Sequence, residues 1–211
     1  MIEYVRDPRD IYRRSFAAIR AEATLARLPT SLEPVAVRLI HACGMTDIID
    51  DLAFADDVAD SARRALTNGA PVLCDSRMVA EGIVEARLPA RNAVVCTLGE
   101  PALATTATTL GTTRSAAAVE FWRPQLDGAV VAIGNAPTAL FHLLELLDQG
   151  AAKPAAILAF PVGFVGAVES KAELAANCRG TPFLTLLGRR GGSALAAAAV
   201  NALASWNEYP P

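Results

Sequence analysis

The chain has 211 residues, 53% apolar and 19% charged, which excludes a disordered chain and suffices for a core without disulfides or a structural metal. Its 19 basic and 22 acidic residues leave a net charge of −3, which argues against nucleic acid as a partner. No uninterrupted apolar run approaches the roughly 18 residues of a spanning helix, and residues 1–14 lack the apolar middle of a signal peptide. A cytoplasmic protein with no membrane partner is expected.

In chain order, two helical patterns lead, over residues 10–25 and 33–43. A third follows over 56–67, then an apolar run at 71–75 (PVLCD) and another at 93–97 (AVVCT). Residues 113–122 read as a helix and 129–134 (AVVAIG) as a strand. Asn135 is then the expected N-cap of a helix, with Pro137 in its first turn and Gly150 at its stop. The run 155–161 (AAILAFP), a loop with Gly163 and Gly166, and a helix over 168–177 come next. The run 182–187 (PFLTLL) and the glycines Gly188, Gly191 and Gly192 lead into a last helix over 193–204. The five runs are short and almost continuously apolar, as strands covered on both faces are. Strands alternating with helices predict a doubly wound, parallel α/β sandwich, a single domain over 1–211. Ligands of such sheets gather beyond the strands' carboxyl ends.

Four cysteines have no Cys-x-x-Cys spacing, and Cys74 and Cys96 sit in strand-like runs as small core residues. With two histidines in the chain, a metal site is not expected. His142 lies among leucines and reads as structural or surface, not catalytic. His41 shares with Arg38 the narrow polar stripe of the 33–43 helix, and Gly44 is a natural residue to end it. The helix dipole there favours imidazolium and Arg38 opposes it, a balance suited to moving a proton. On the residues alone, a histidine capping its own helix is the commoner occurrence. The turn Gly188-Arg-Arg-Gly191-Gly192-Ser193 offers a helix start and guanidiniums to an anion, and Arg114 stands at another helix start. Arg13 and Arg14 read equally well as surface charge.

Several segments, in order, carry a resemblance: Ile11-Tyr-Arg-Arg-Ser15-Phe, Val37-Arg38-Leu-Ile-His41-Ala-Cys-Gly44, Gly69-Ala-Pro-Val-Leu-Cys-Asp75, Thr113-Arg114-Ser115, Val131-Ala-Ile-Gly-Asn135-Ala-Pro-Thr138, Phe160-Pro-Val-Gly-Phe-Val-Gly166 with Lys171, and Gly191-Gly-Ser193. The sequence resembles the precorrin-8X methylmutase family of cobalamin biosynthesis over nearly its whole length. The resemblance implies a flavodoxin-like α/β/α fold of five strands, order 2-1-3-4-5, and a homodimer. It implies an isomerase that needs no cofactor and shifts a methyl group from C-11 to C-12 of a tetrapyrrole by a 1,5-sigmatropic step, giving hydrogenobyrinic acid. His41 would be the proton donor and acceptor, with Ser15 and Arg38 on the substrate. The rim carboxylates of that substrate call for guanidiniums and hydrogen-bonding groups, for which Arg114, Asn135 and Lys171 are the further candidates. The overall likeness leans to the cobalt-free substrate over cobalt-precorrin-8. A tetrapyrrole carrier without chemistry, or a small-anion binder using the 188–193 turn, are the rivals.

Overall fold

The computed structural model describes residues 2–205; residues 1 and 206–211, the ends of the expected single unit, lie outside the described residues. Its helices are α1 (Pro8–Glu22), α2 (Glu33–Cys43), α3 (Val58–Thr67), α4 (Arg77–Gly82), α5 (Leu103–Leu110), α6 (Arg114–Glu120), α7 (Pro137–Asp148), α8 (Ala167–Ala176) and α9 (Ser193–Ala204). Its strands are β1 (Leu52–Phe54), β2 (Val72–Cys74), β3 (Val94–Val95), β4 (Val130–Ile133), β5 (Ala156–Ala159) and β6 (Phe183–Leu186).

These strands form one sheet in the order β1-β6-β5-β4-β2-β3. All neighbouring pairs are parallel except β1 with β6, which is antiparallel with Leu52 opposite Leu186 and Phe54 opposite Leu184. The expectation of five strands is therefore corrected to six. The added strand is three residues long and follows the acidic 3-10 turn Thr46–Asp51, so it shows neither length nor alternation in the sequence.

Each central strand sends alternate side chains to opposite faces, which is why its sequence is apolar throughout. Val130 and Ala132 of β4 join one core with residues of α1, α2, α3 and α9, while Val131 and Ile133 join another with α6 and α7. On the first face α9 packs on β4 and β5, and α2 packs in turn on α9. A helix covered on both sides needs small side chains, and α9 is mostly alanine, buried from Leu195 to Ala204. Gly134 at the end of β4 serves the same closeness, since a Cβ there would lie 2.7 Å from the Ser193 Cα.

The α2 helix buries Val35, Ala36, Val37, Leu39 and Ile40. Each large apolar side chain among them contributes roughly 1.5–3 kcal/mol. Gly44 ends the helix in the left-handed conformation, φ 71°, and its N–H donates 2.7 Å to the Ile40 carbonyl. Arg38 and His41 are left half-buried on the remaining stripe.

Candidate active site

The imidazole of His41 is held from one side by α1. Its Nδ1 lies 2.8 Å from the Ser15 hydroxyl oxygen. The Tyr12 ring tilts over it at 5.1 Å between centroids, and Phe16 meets it edge-on at 5.3 Å. Residues 12, 15 and 16 fall on one face of a helix because positions three and four apart are neighbours there. Arg38 stands over the Phe16 ring, 5.6 Å from its centroid. With Nδ1 engaged, Nε2 is the ring nitrogen left for a substrate.

The electrostatics lean against charge on this ring. Burial first, and the Arg38 guanidinium second, hold the His41 imidazolium below its ordinary pKa. Arg87 adds to the positive field. It is buried, donates from Nε 3.0 Å to the Asn201 carbonyl, and is pushed down to about 10 by burial and by Arg38. A basic surround of this kind suits a polyanionic ligand. Sequence reasoning missed Tyr12, Phe16 and Arg87 here. The first two were readable from their spacing to Ser15; Arg87 carried no local signal.

The other candidates stand at the carboxyl end of the sheet. Arg114 opens α6 with an exposed side chain whose one hydrogen bond among the described residues is a long one, 3.4 Å to the Leu98 carbonyl. Its neighbour Thr113 caps that helix and touches the Thr138 hydroxyl at 2.8 Å, which brings the start of α6 beside the loop that follows β4. Asn135 lies on that loop and is exposed. It does not cap α7 as expected: Ala136 occupies that position and no side chain caps the helix. The carboxylate of Asp75, buried at the end of β2, takes the loop's amides instead. Gly134 donates to its Oδ1 at 2.9 Å, and Asn135 and Ala136 donate to its Oδ2 at 2.9 and 2.7 Å.

Lys171 of α8 is 0% exposed, and its Nζ donates 2.6 Å to the Arg190 carbonyl. Its ammonium thus faces a backbone turn, not an open surface, which departs from the expected carboxylate contact. Arg190 pairs with Asp47 at 2.7 Å and Asp51 at 2.6 Å, so it braces the segment after α2 and is not the anion seat expected of that turn. Arg13 and Arg14 pair with Asp10 on the exposed face of α1. His142 places its Nε2 2.7 Å from the Glu120 carboxylate. The four cysteines are unpaired, no His/Cys/Asp/Glu group among the described residues has metal-site geometry, and no helix among them is long and apolar enough to cross a membrane.

A half-buried histidine in a basic surround, on a doubly wound sheet, fits more than one enzyme class. What decides it is a match of residues 10–206 to the model of the precorrin-8X methylmutase family. The chain belongs to this family. It is similar to a precorrin-8X methylmutase of Pseudomonas aeruginosa, 62% identical over 99% of this chain and 100% of that protein. A second, from Sinorhizobium sp, is 56% identical over 96% of each chain. The cobalt-precorrin-8 methylmutase of Priestia megaterium is 34% identical over 93% of this chain and 87% of its own. The crystal structure of a Thermus thermophilus precorrin-8X methylmutase superposes with a TM-score of 0.83 at 37% identity, covering 93% of this chain and 94% of that one. As a precorrin-8X methylmutase the chain is an isomerase of cobalamin biosynthesis, catalysing the methyl shift that yields hydrogenobyrinic acid.

Proposed function

We propose that His41 is the proton donor and acceptor of a methyl shift from C-11 to C-12 of cobalt-free precorrin-8X. The observation that carries this reading is the imidazole itself, bonded through Nδ1 to Ser15, with no hydrogen bond at Nε2 among the described residues and Arg38 beside it. Protonating the pyrrole-derived nitrogen next to the migrating methyl makes the conjugated system electron-poor and lowers the barrier. A positioned acid of this kind contributes roughly 10²–10⁴-fold.

Burial and the Arg38 guanidinium hold the imidazolium below its ordinary pKa, which favours the neutral ring near pH 7. The substrate supplies the remedy. Its carboxylates, drawn to Arg38, offset the positive charge that disfavours imidazolium, so His41 gains proton affinity as the ligand seats. Arg38, Arg114 and Asn135 contact the macrocycle and its arms, Ser15 orients the ring and touches the substrate, and Lys171 acts through the turn that it holds. The higher identity to the two precorrin-8X enzymes than to the cobalt-precorrin-8 enzyme favours the cobalt-free substrate.

The strand order supports reading the five parallel strands as a flavodoxin-like core, with β1 added at its edge. The ligand is large for one such domain, which favours a homodimer whose second copy completes the cleft. Four free cysteines suit a reducing cytoplasm.

Mixing the protein with precorrin-8X and following the absorption change to hydrogenobyrinic acid tests the reading. His41→Ala should abolish conversion and keep product binding. Unchanged turnover in that variant overturns the role of His41, and a wild-type protein that binds without converting is a carrier.

A further inference from the structure

Beyond the ends of β5 and β6 a cavity opens between the loops that follow those strands and the segment after α2. Met45, Val162, Phe164 and Gly191 line it, with Arg189 and Arg190 at its edge. Met45 is four residues past His41, so chain reach alone keeps the two Cα atoms within about 14 Å. Phe164 is 85% exposed and Val165 88%, an apolar patch that a water-facing loop does not need. Over the Phe164 ring lies the guanidinium of Arg189, 5.3 Å from the centroid.

The two arginines of this turn have different duties. Arg190 satisfies Asp47 and Asp51, and in doing so removes both carboxylates as competitors for its neighbour. Arg189 is exposed and has no ion-pair partner among the described residues. Its backbone is fixed, since its carbonyl accepts from the Gly163 N–H at 3.2 Å and the next carbonyl accepts from Lys171. An apolar trough ending in a pre-placed guanidinium matches an alkyl carboxylate: the methylenes lie against Val162, Phe164 and Met45, and the carboxylate meets the fork of the guanidinium.

We infer that this cavity, with Arg189 at its mouth, is a subsite for one carboxylate-bearing arm of the macrocycle, and that Arg189 determines specificity for that arm's charge. The inference rests on the tetrapyrrole reading of the His41 site and adds a second anchor to it. Stacked on Phe164, the guanidinium loses little freedom on binding.

The test is titration of hydrogenobyrinic acid, followed by absorbance, into the full-length wild type, Arg189→Gln and Arg189→Lys. Because Arg189 is exposed, these variants keep the fold. Arg189→Gln should weaken binding about tenfold, the loss falling on KM more than on kcat, and Arg189→Lys should recover part of it. With the product's side-chain carboxyls amidated, wild type and Arg189→Gln should bind alike. Equal affinity of wild type and Arg189→Gln for the acid overturns the subsite while leaving the isomerase reading intact. A wild-type protein that neither binds hydrogenobyrinic acid nor converts precorrin-8X overturns both.

Discussion

The Ser15 hydroxyl and Nδ1 of His41 stand 2.8 Å apart across the α1–α2 contact, so one helix fixes which nitrogen of the other's histidine faces outward. Removing that bond should turn the ring loose without removing it. A net contribution of about 1 kcal/mol predicts that Ser15→Ala lowers kcat about fivefold. Nitrogen NMR of the imidazole should show mixed tautomers where the wild type shows one. A single, unchanged tautomer in the variant would leave Ser15 without an orienting role.

The pH profile follows from the two causes that depress His41. If imidazolium is the acid, kcat/KM falls as pH rises through the pKa of the free protein, which burial and Arg38 hold below the ordinary histidine value. The limb on kcat should lie at higher pH, because bound carboxylates restore proton affinity. Arg38→Met removes the repelling charge and should move the free-protein limb upward. A proton NMR titration of His41 checks this directly; a downward movement contradicts the assignment.

Lys171 predicts a stability effect of definite sign. Burial lowers its ammonium from 10.5 to about 8 in the folded chain, despite the attraction of Asp51. Between those values the unfolded chain binds the extra proton, so stability rises with pH. The gain amounts to at most about 3 kcal/mol at 1.36 kcal/mol per unit. Denaturant unfolding from pH 7.5 to 10.5 should show the wild type gaining on Lys171→Met. Parallel curves would place the ammonium in contact with water.

Asp75→Ala strands three backbone N–H groups behind β4. Unsatisfied buried donors cost about 1–3 kcal/mol each. A loss of at least about 2 kcal/mol is expected, read as a Tm lower by roughly 4–8 °C. Product affinity should fall as well, because Asn135 rides on the loop that Asp75 ties down. Intact affinity would separate Asn135 from the ligand.

Much of the frame was readable from local chemistry. The α2 bounds, 33–43, and the α9 bounds, 193–204, follow from Pro34, Gly44 and the glycines before Ser193. The five parallel strands announce themselves as short, almost continuously apolar runs. Elements with weak local signals escaped: β1 is three residues long, and α5 is rich in threonine, a poor helix former. For the site, the His41–Arg38 stripe is a matter of helical period, hence legible. The Asp75 tie spans 59 to 61 residues of sequence, and Asn135 looked like a cap because nothing nearby revealed that distant acceptor. The burial of Lys171 is likewise a product of packing, which no window of its own helix contains.

One further consequence concerns what this molecule turns away. Doubly wound proteins commonly greet phosphates with a row of amides past a central strand. Past β4 that row is already occupied, permanently, by an acid belonging to the chain. A nucleotide arriving there finds those three amides already taken by a side chain, so a framework shared with many dinucleotide users lacks their usual welcome past this strand.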